Sequence, residues 1–239
     1  MTGCSRVSDG CRNCYAERLS LDRGWSRVPW TAANAAANVR ERPERLRKPF
    51  SWKEPRRVFV NSMSDLFHEN VSDAFIARIF ETMVKTPHVY QCLTKRPERA
   101  ATWPGPWTER IWLGASVENK KALPRLDALR ASTARVRFPS LEPLLEDLGR
   151  LDLRGIQWVI VGGESGPHYR PMDHAWARRV RDQCVAAGIP FFFKQSAARR
   201  TEVGTSLVEA NGSKTIWREY PGELMAPECR TVDTARKNR

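Results

Sequence analysis

With 239 residues, 41% of them apolar, and nine Trp and nine Phe, the chain has material for one large hydrophobic core, and an α/β barrel commonly reaches this size undivided. No long uncharged apolar run suggests a membrane span, and the opening MTGCSR lacks a basic stretch followed by an apolar one, so the expectation is a soluble, cytoplasmic protein with no membrane partner. The formal charge of +13 exceeds what solubility needs; it fits contact with nucleic acid or simply the arginine-rich composition of a GC-rich genome, because the cations are spread along the chain.

The first element is a loop. GCSRVSDGCRNCYAE at 3–17 places three of the six cysteines, Cys4, Cys11 and Cys14, in the pattern C-x6-C-x2-C. In a reducing compartment such a cluster points to metal or redox chemistry before disulfides. Three readings stand. A structural zinc would recruit a fourth ligand such as His68, His168 or Cys184. A redox disulfide would leave one thiol idle. A 4Fe-4S cluster held by three thiolates would keep one iron open for a substrate or cofactor, which accounts for the number three directly.

Residues 18–56 are polar, rich in arginine and punctuated by Pro29, Pro43, Pro49 and Pro55, which reads as a helix continuing from the cysteine loop and then an irregular basic connection. Beyond them, short apolar runs alternate with amphipathic ones. Strands are expected at 57–62, 89–94, 111–116, 135–140, 158–163 and 190–195, their β-branched and aromatic content fitting strands covered on both faces. Helices are expected at 72–85, 118–131 and 173–188, with Ser72 or Asp73 and Asp173 as N-caps, Gly188 closing the last, and Pro124 lying inside the middle one. The strands recur at the spacing of a βα unit, so the fold class is α/β, a partial parallel (β/α)6-type, TIM-like barrel with an N-terminal cysteine loop. Residues 1–200 would form that barrel. Residues 201–239 would add a hairpin and basic tail as an extension, with Asn211-Gly212 in a two-residue type I′ turn.

The apolar runs end in a common way. Their C-terminal flanks read NSMSDLFHE (61–69), LTKRPE (93–98), SVEN (116–119), SLEP (140–143), GGESG (162–166) and KQS (194–196). Ligands of parallel α/β folds bind at the carboxyl ends of strands, so six polar flanks describe one lined pocket, although Asp65 or Ser140 taken singly could be a helix cap. The GxSxG frame around Ser165 fails at Pro167, and there is neither a phosphate loop nor a dinucleotide fingerprint. The glycines could let a ligand approach the backbone, with Glu164 accepting hydrogen bonds from it.

Three clustered cysteines ahead of a run of βα units resemble the radical S-adenosylmethionine superfamily. More closely, C-x6-C-x2-CYAE with VNSMSDLFHE, QCLTKRPER, LGASVEN, FPSLEPLL, WVIVGGESG, RDQC and PFFFKQ is similar to a family of bacteriophage and prophage proteins of uncharacterised function, itself similar to radical-SAM enzymes, over about residues 3–196. The resemblance implies a 4Fe-4S cluster on Cys4, Cys11 and Cys14, S-adenosylmethionine on the open iron, an electron from a reducing donor, and hydrogen abstraction from a substrate that the positive charge suggests is a nucleic acid or nucleotide. It further implies Ser62, Ser64 and Asp65 near the methionine amino group, Ser116 and Glu118 near its carboxylate or the ribose, and Gly162, Gly163 and Glu164 on the adenine side. Lys95, Glu142, Lys194 and Gln195 would face the substrate, with Lys194 alternatively in an ion pair inside the barrel. Tyr15 and Phe67 would wall the site or pack beside it, and Cys92, Cys184 and Cys229 take no ligand role. Two departures stand out. The usual first gap is three residues with an aromatic before the last cysteine, whereas this chain has six and Asn13; and only three residues precede Cys4, so another segment would have to stand in for the first strand if the start is not truncated. A zinc-stabilised, non-catalytic nucleic-acid-binding module is the alternative, and an electron-transfer protein a weaker one.

Overall fold

The computed structural model describes residues 1–222 and the backbone of 230–232; Cys229 and most of the expected basic tail lie outside the described residues. The cysteine loop runs directly into α1 (Tyr15–Asp22), with Cys14 as its N-cap. The basic connection holds a short α2 (Ala35–Asn38) and a 3-10 stretch Pro43–Ser51 before β1 (Arg56–Val60). Then follow α3 (Asp73–Val84), β2 (Val89–Thr94), α4 (Pro97–Thr102), β3 (Ile111–Ser116), α5 (Pro124–Ala131), β4 (Arg137–Leu141), β5 (Val159–Gly162), α6 (His174–Ala186) and β6 (Phe191–Gln195). Strands β1 to β6 lie side by side in chain order, all parallel, as a curled half-barrel.

Local chemistry sets these elements. Ser72 caps α3, its Oγ accepting from the Phe75 amide at 3.1 Å, and the helix buries Phe75, Ile76, Ile79, Phe80 and Met83 along one stripe. Asp173 caps α6 through the Ala175 amide at 2.7 Å, and Gly188 ends it at φ +65°. The expected helix 118–131 is shorter: Asn119 caps a 3-10 turn Lys120–Ala122, and Pro124 opens α5. At a first helical position the missing N–H of proline costs nothing, so Pro124 starts the helix and does not interrupt it. The crossover from β4 to β5 has no helix; Leu144, Leu148, Leu151, Leu153 and Ile156 are buried in irregular chain and cover the sheet there.

The two faces of the sheet carry different cores. Residues such as Ile111, Leu113, Val159, Val161, Phe191 and Phe193 pack outward against the helices, while the alternate residues Trp112, Phe138, Trp158 and Phe192 fill the concave side with Tyr220. Trp158 is the hub, its ring 5.9 Å from Trp112, 5.4 Å from Phe138 and 5.5 Å from Tyr220. Gly114 has no side chain because the Phe138 ring occupies the place, 2.3 Å from where a Cβ would sit. These aromatics form a floor, and the polar strand ends stand above it.

Both flanks of the half-barrel are engaged. Along β6 the segment 217–219 runs antiparallel, Phe193 donating to the Trp217 carbonyl at 2.8 Å and Glu219 to that of Phe191 at 3.1 Å. Beside β1 lies β9 (Arg230–Val232), parallel to it, and just beyond the end of β1 Gly3 donates to the Met63 carbonyl at 3.0 Å. The cysteine loop therefore springs from beside the C-terminal end of β1. The hairpin forms, as β7 (Leu207–Val208) against β8 (Lys214–Thr215), but its turn differs from the two-residue expectation. Glu209 pairs with Ser213 across three residues, and of Asn211 and Gly212 only the glycine has positive φ, +82°. A type I′ turn needs both, so the connection is the three-residue kind with glycine at the bulge.

Candidate functional site

Above the aromatic floor the half-barrel holds a cavity of about 220 Å³, roofed by the cysteine loop. Its wall follows the two-residue alternation of the strands: Phe59 and Asn61, Leu93 and Lys95, Ser116, Ser140 and Glu142, and Lys194. Cys4, Cys11 and Cys14 all line it.

The loop is tied to four strand ends. Next to β1, Tyr15 donates its hydroxyl to the Ser62 carbonyl at 2.9 Å. At β2, Arg96 donates to Ser5 Oγ at 2.9 Å, faces Cys4 Sγ at 3.7 Å, and pairs with Asp65 at 3.2 Å and Glu69 at 2.7 Å. At β3, Glu118 is wholly buried and accepts the Gly10 amide at 3.2 Å while paired to Arg125 at 3.0 Å. The Glu118 carboxyl carbon lies 2.9 Å from where a Gly10 Cβ would be, so a side chain at that position would have to displace Glu118. At β5, Asn13 donates to Glu164 at 2.9 Å and to the His168 carbonyl at 2.7 Å. Within the loop, Arg6 holds Glu17 bidentately, both distances 2.8 Å, and Glu17 also accepts the Trp30 amide at 2.9 Å. The widened first gap of the cysteine pattern thus has a structural role. Asp9 accepts from Asn119 at 2.8 Å, so the extra residues reach β3.

Burial pushes the Cys4 thiol up to about 12, with the Asp65 charge adding to it and Arg96 opposing. Cys14 is raised by burial too, against the pull of the Glu17 and Ala16 amides at the start of α1. Charge on Cys11 raises both. Cys4 and Cys14 are thiolates together only when a cation compensates them, which is the condition a metal centre meets. The donor type is that of a thiolate-bound centre. Among the described residues no three Cys, His, Asp or Glu side chains are gathered for a metal, so the thiols surround the cavity without being drawn onto one point.

Of the residues expected from sequence, Ser62, Ser64, Asp65, Lys95, Ser116, Glu142, Gly163, Glu164 and Lys194 line this cavity. Several are already committed to the protein. Asp65 accepts from Thr94 at 2.7 Å and from the amides of Phe67 and Lys95, each at 3.0 Å, besides pairing with Arg96. Glu142 holds Lys194, with both oxygens 3.0 Å from Nζ, the ion-pair alternative for that lysine. Gly162 is covered by the Glu142 carboxyl, 3.0 Å from a would-be Cβ, and Gly163 by the backbone of Ala197. Glu164 sits below its ordinary carboxyl value: burial pushes it up, and the bonds from Arg170 and Asn13 outweigh that.

Gln195 does not face the cavity. It alternates with Lys194 and so lies on the opposite face of β6, buried, donating to the Gly163 carbonyl at 3.1 Å and accepting the Glu202 amide at 2.7 Å. Phe67 is fully buried against Trp107 and packs in the core, whereas Tyr15 lines the cavity. Cys92 and Cys184 are core residues. Asn61 and Asn13 also line the cavity and Arg96 anchors its loop, uses that the sequence did not suggest, although Asn61 shares its strand face with Phe59 and Arg57 and the alternation alone points it inward.

Among the described residues no helix is long and apolar enough to cross a membrane. No curated protein and no solved structure matches the chain. A family model described as a protein of unknown function, DUF5131, matches residues 1–225, and the chain belongs to that family.

Proposed function

We propose that the chain is a cytoplasmic iron-sulfur enzyme of the radical-SAM type, of bacteriophage or prophage kind, acting on a nucleic acid or nucleotide. The observation that carries this reading is that Cys4, Cys11 and Cys14 line a single cavity at the carboxyl ends of a parallel half-barrel. Bound there with S-adenosylmethionine and supplied with an electron by a reducing donor, a 4Fe-4S cluster would bring hydrogen-abstraction chemistry to the cavity.

The chain's own residues orient and enclose. Arg96 turns its guanidinium to Cys4 and favours the thiolate, while Glu118 and Asn13 hold the loop over the strand ends. The Arg6–Glu17 pair and Tyr15 line the loop side, and the Trp158 cluster packs the concave face of the sheet beneath. Glu142 and Lys194 form a neutral pair in the wall, able to hydrogen-bond a bound substrate.

The zinc-stabilised, non-catalytic nucleic-acid module asks for a fourth ligand. His68 meets Ser5 Oγ through Nε2 at 2.9 Å and accepts the Asn70 amide on Nδ1 at 3.0 Å, so both nitrogens are engaged. His168 and Cys184 are not among the cavity-lining residues. Anaerobic reconstitution with iron and sulfide decides between them: the expected product is a brown protein with about four irons per chain that releases 5′-deoxyadenosine with dithionite and S-adenosylmethionine. A colourless protein that takes up a single zinc ends the reading.

A further inference from the structure

The side-chain charge left without an ion pair in the cavity has one sign. Its four lining carboxylates are each matched by a cation: Glu17 by Arg6, Asp65 by Arg96, Glu142 by Lys194 and Glu164 by Arg170. Of the three lining cations, Arg6 and Lys194 are those same partners. Lys95 is the remaining one, and among the described residues its ammonium has no ion pair. One position after β1, Asn61 lines the same wall, and its Nδ2 is shut from water without an acceptor. A buried N–H of that kind is costly and points to a missing acceptor. Asn61 and Lys95 each follow the last residue of neighbouring strands, β1 and β2, and each continues the inward alternation of its strand.

We infer that Asn61 and Lys95 together form an oxyanion-binding point, taking a phosphate or carboxylate group of the molecule that occupies the cavity. A charged lysine and an amide donor on one wall can bind an oxyanion through charge-assisted hydrogen bonds, and the lining carboxylates are already paired with other cations. This deepens the proposed function by fixing the charge of what enters the cavity. It rests on the cavity being the substrate site, and makes no use of the metal centre.

Calorimetry on the full chain at low salt, with inorganic pyrophosphate and citrate as separate probes, tests the inference. At least one should bind; tighter pyrophosphate assigns the point to a phosphate, tighter citrate to a carboxylate. Lys95→Met and the isosteric Asn61→Asp should each weaken that binding by about tenfold or more, while Arg135→Gln, outside the cavity, should leave it unchanged. In the unaltered protein, pyrophosphate or citrate should slow acetylation of Lys95 relative to other lysines, a readout that needs no variant to fold. The inference is overturned if neither probe binds, if binding survives both substitutions, or if Lys95 is not protected. It is also overturned if Lys95→Met only shifts the titration of Cys14, whose thiol the Lys95 charge lowers, and leaves binding intact. Release of 5′-deoxyadenosine by a chain that binds no oxyanion would sink this inference alone, and oxyanion binding by a chain that takes up only zinc would sink the enzymatic reading alone.

Discussion

The Asn13 amide donates to Glu164 Oε2 at 2.9 Å, joining the cysteine loop to the end of β5 across 151 positions of sequence. The link spans the cavity. Loop residues that start beside β1 are fastened to the far wall, so Cys11 and Cys14 are fixed from both sides. Asn13→Ala removes the bond to Glu164 and the one to the His168 carbonyl, and leaves Glu164 to Arg170 alone. A loss of about 1 kcal/mol of stability is expected, together with fewer irons retained per chain after reconstitution. Unaltered thermal midpoint and unaltered iron content would count against the link having this role.

Arg96 carries a second prediction. Its guanidinium is largely buried, pairs with Asp65 and Glu69, and faces Cys4 and Ser5. Removing one partner of a buried pair strands the other, so Arg96→Ala should cost about 3–5 kcal/mol by leaving Asp65 uncompensated. Arg96→Lys restores charge but not the planar fork, and should recover part of the loss. Because the Arg96 charge and hydrogen bond lower the Cys4 thiol, its removal should also slow alkylation of Cys4 at any given pH. Urea midpoints and rates of iodoacetamide labelling check the two effects separately.

The strands were legible because their residues are apolar on both faces, and all six lie within two residues of where the composition puts them. What hid was the use of the polar ends. Gln195 and Lys194 stand next to each other in KQS and look equally available, yet the pleat sends one to the cavity and the other to the Gly163 carbonyl. Asp65 and Glu118 have the chemistry of ligand-binding carboxylates, but Thr94, Arg96 and Gly10, distant in sequence, and Arg125, seven residues on, already occupy their oxygens. Such partners depend on tertiary contacts that no local pattern encodes. Arg96, read only as part of LTKRPE, becomes central because the cysteine loop folds down onto it.

The two glycines of WVIVGG answer to packing, and Gly163 gives the sharper test. A Cβ there would lie 2.1 Å from the Ala197 amide nitrogen and 2.5 Å from its Cα, backbone that cannot rotate away. Gly163→Ala should therefore cost about 1–3 kcal/mol or more, since overpacking of this kind forces a main-chain shift. Gly149→Ala is the comparison, with φ +71° but nothing within 4 Å, so only the conformational penalty of about 1 kcal/mol remains. If the two variants melt together, close packing at β5 is not what selects the glycine.

Two histidines contribute to the acid sensitivity of the fold. His68 is lowered from its ordinary value by burial and then by the Arg96 charge, and His174 by burial and then by Arg178. Each is held neutral for a reason visible in its bonds: Nδ1 of His68 accepts the Asn70 amide, and Nδ1 of His174 accepts the Val208 amide, both at 3.0 Å. A protonated ring accepts neither. Since the folded values lie below the unfolded value of about 6.5, the unfolded chain takes up protons first, and the contribution of these two rings is complete above that pH and falls as pH drops through the window beneath it. The thermal midpoint should thus be lower at about pH 5 than at about pH 7.5. His174→Asn keeps an acceptor near the place of Nδ1 and has nothing to titrate, so it should shrink that difference; an undiminished drop would assign the acid sensitivity to other groups.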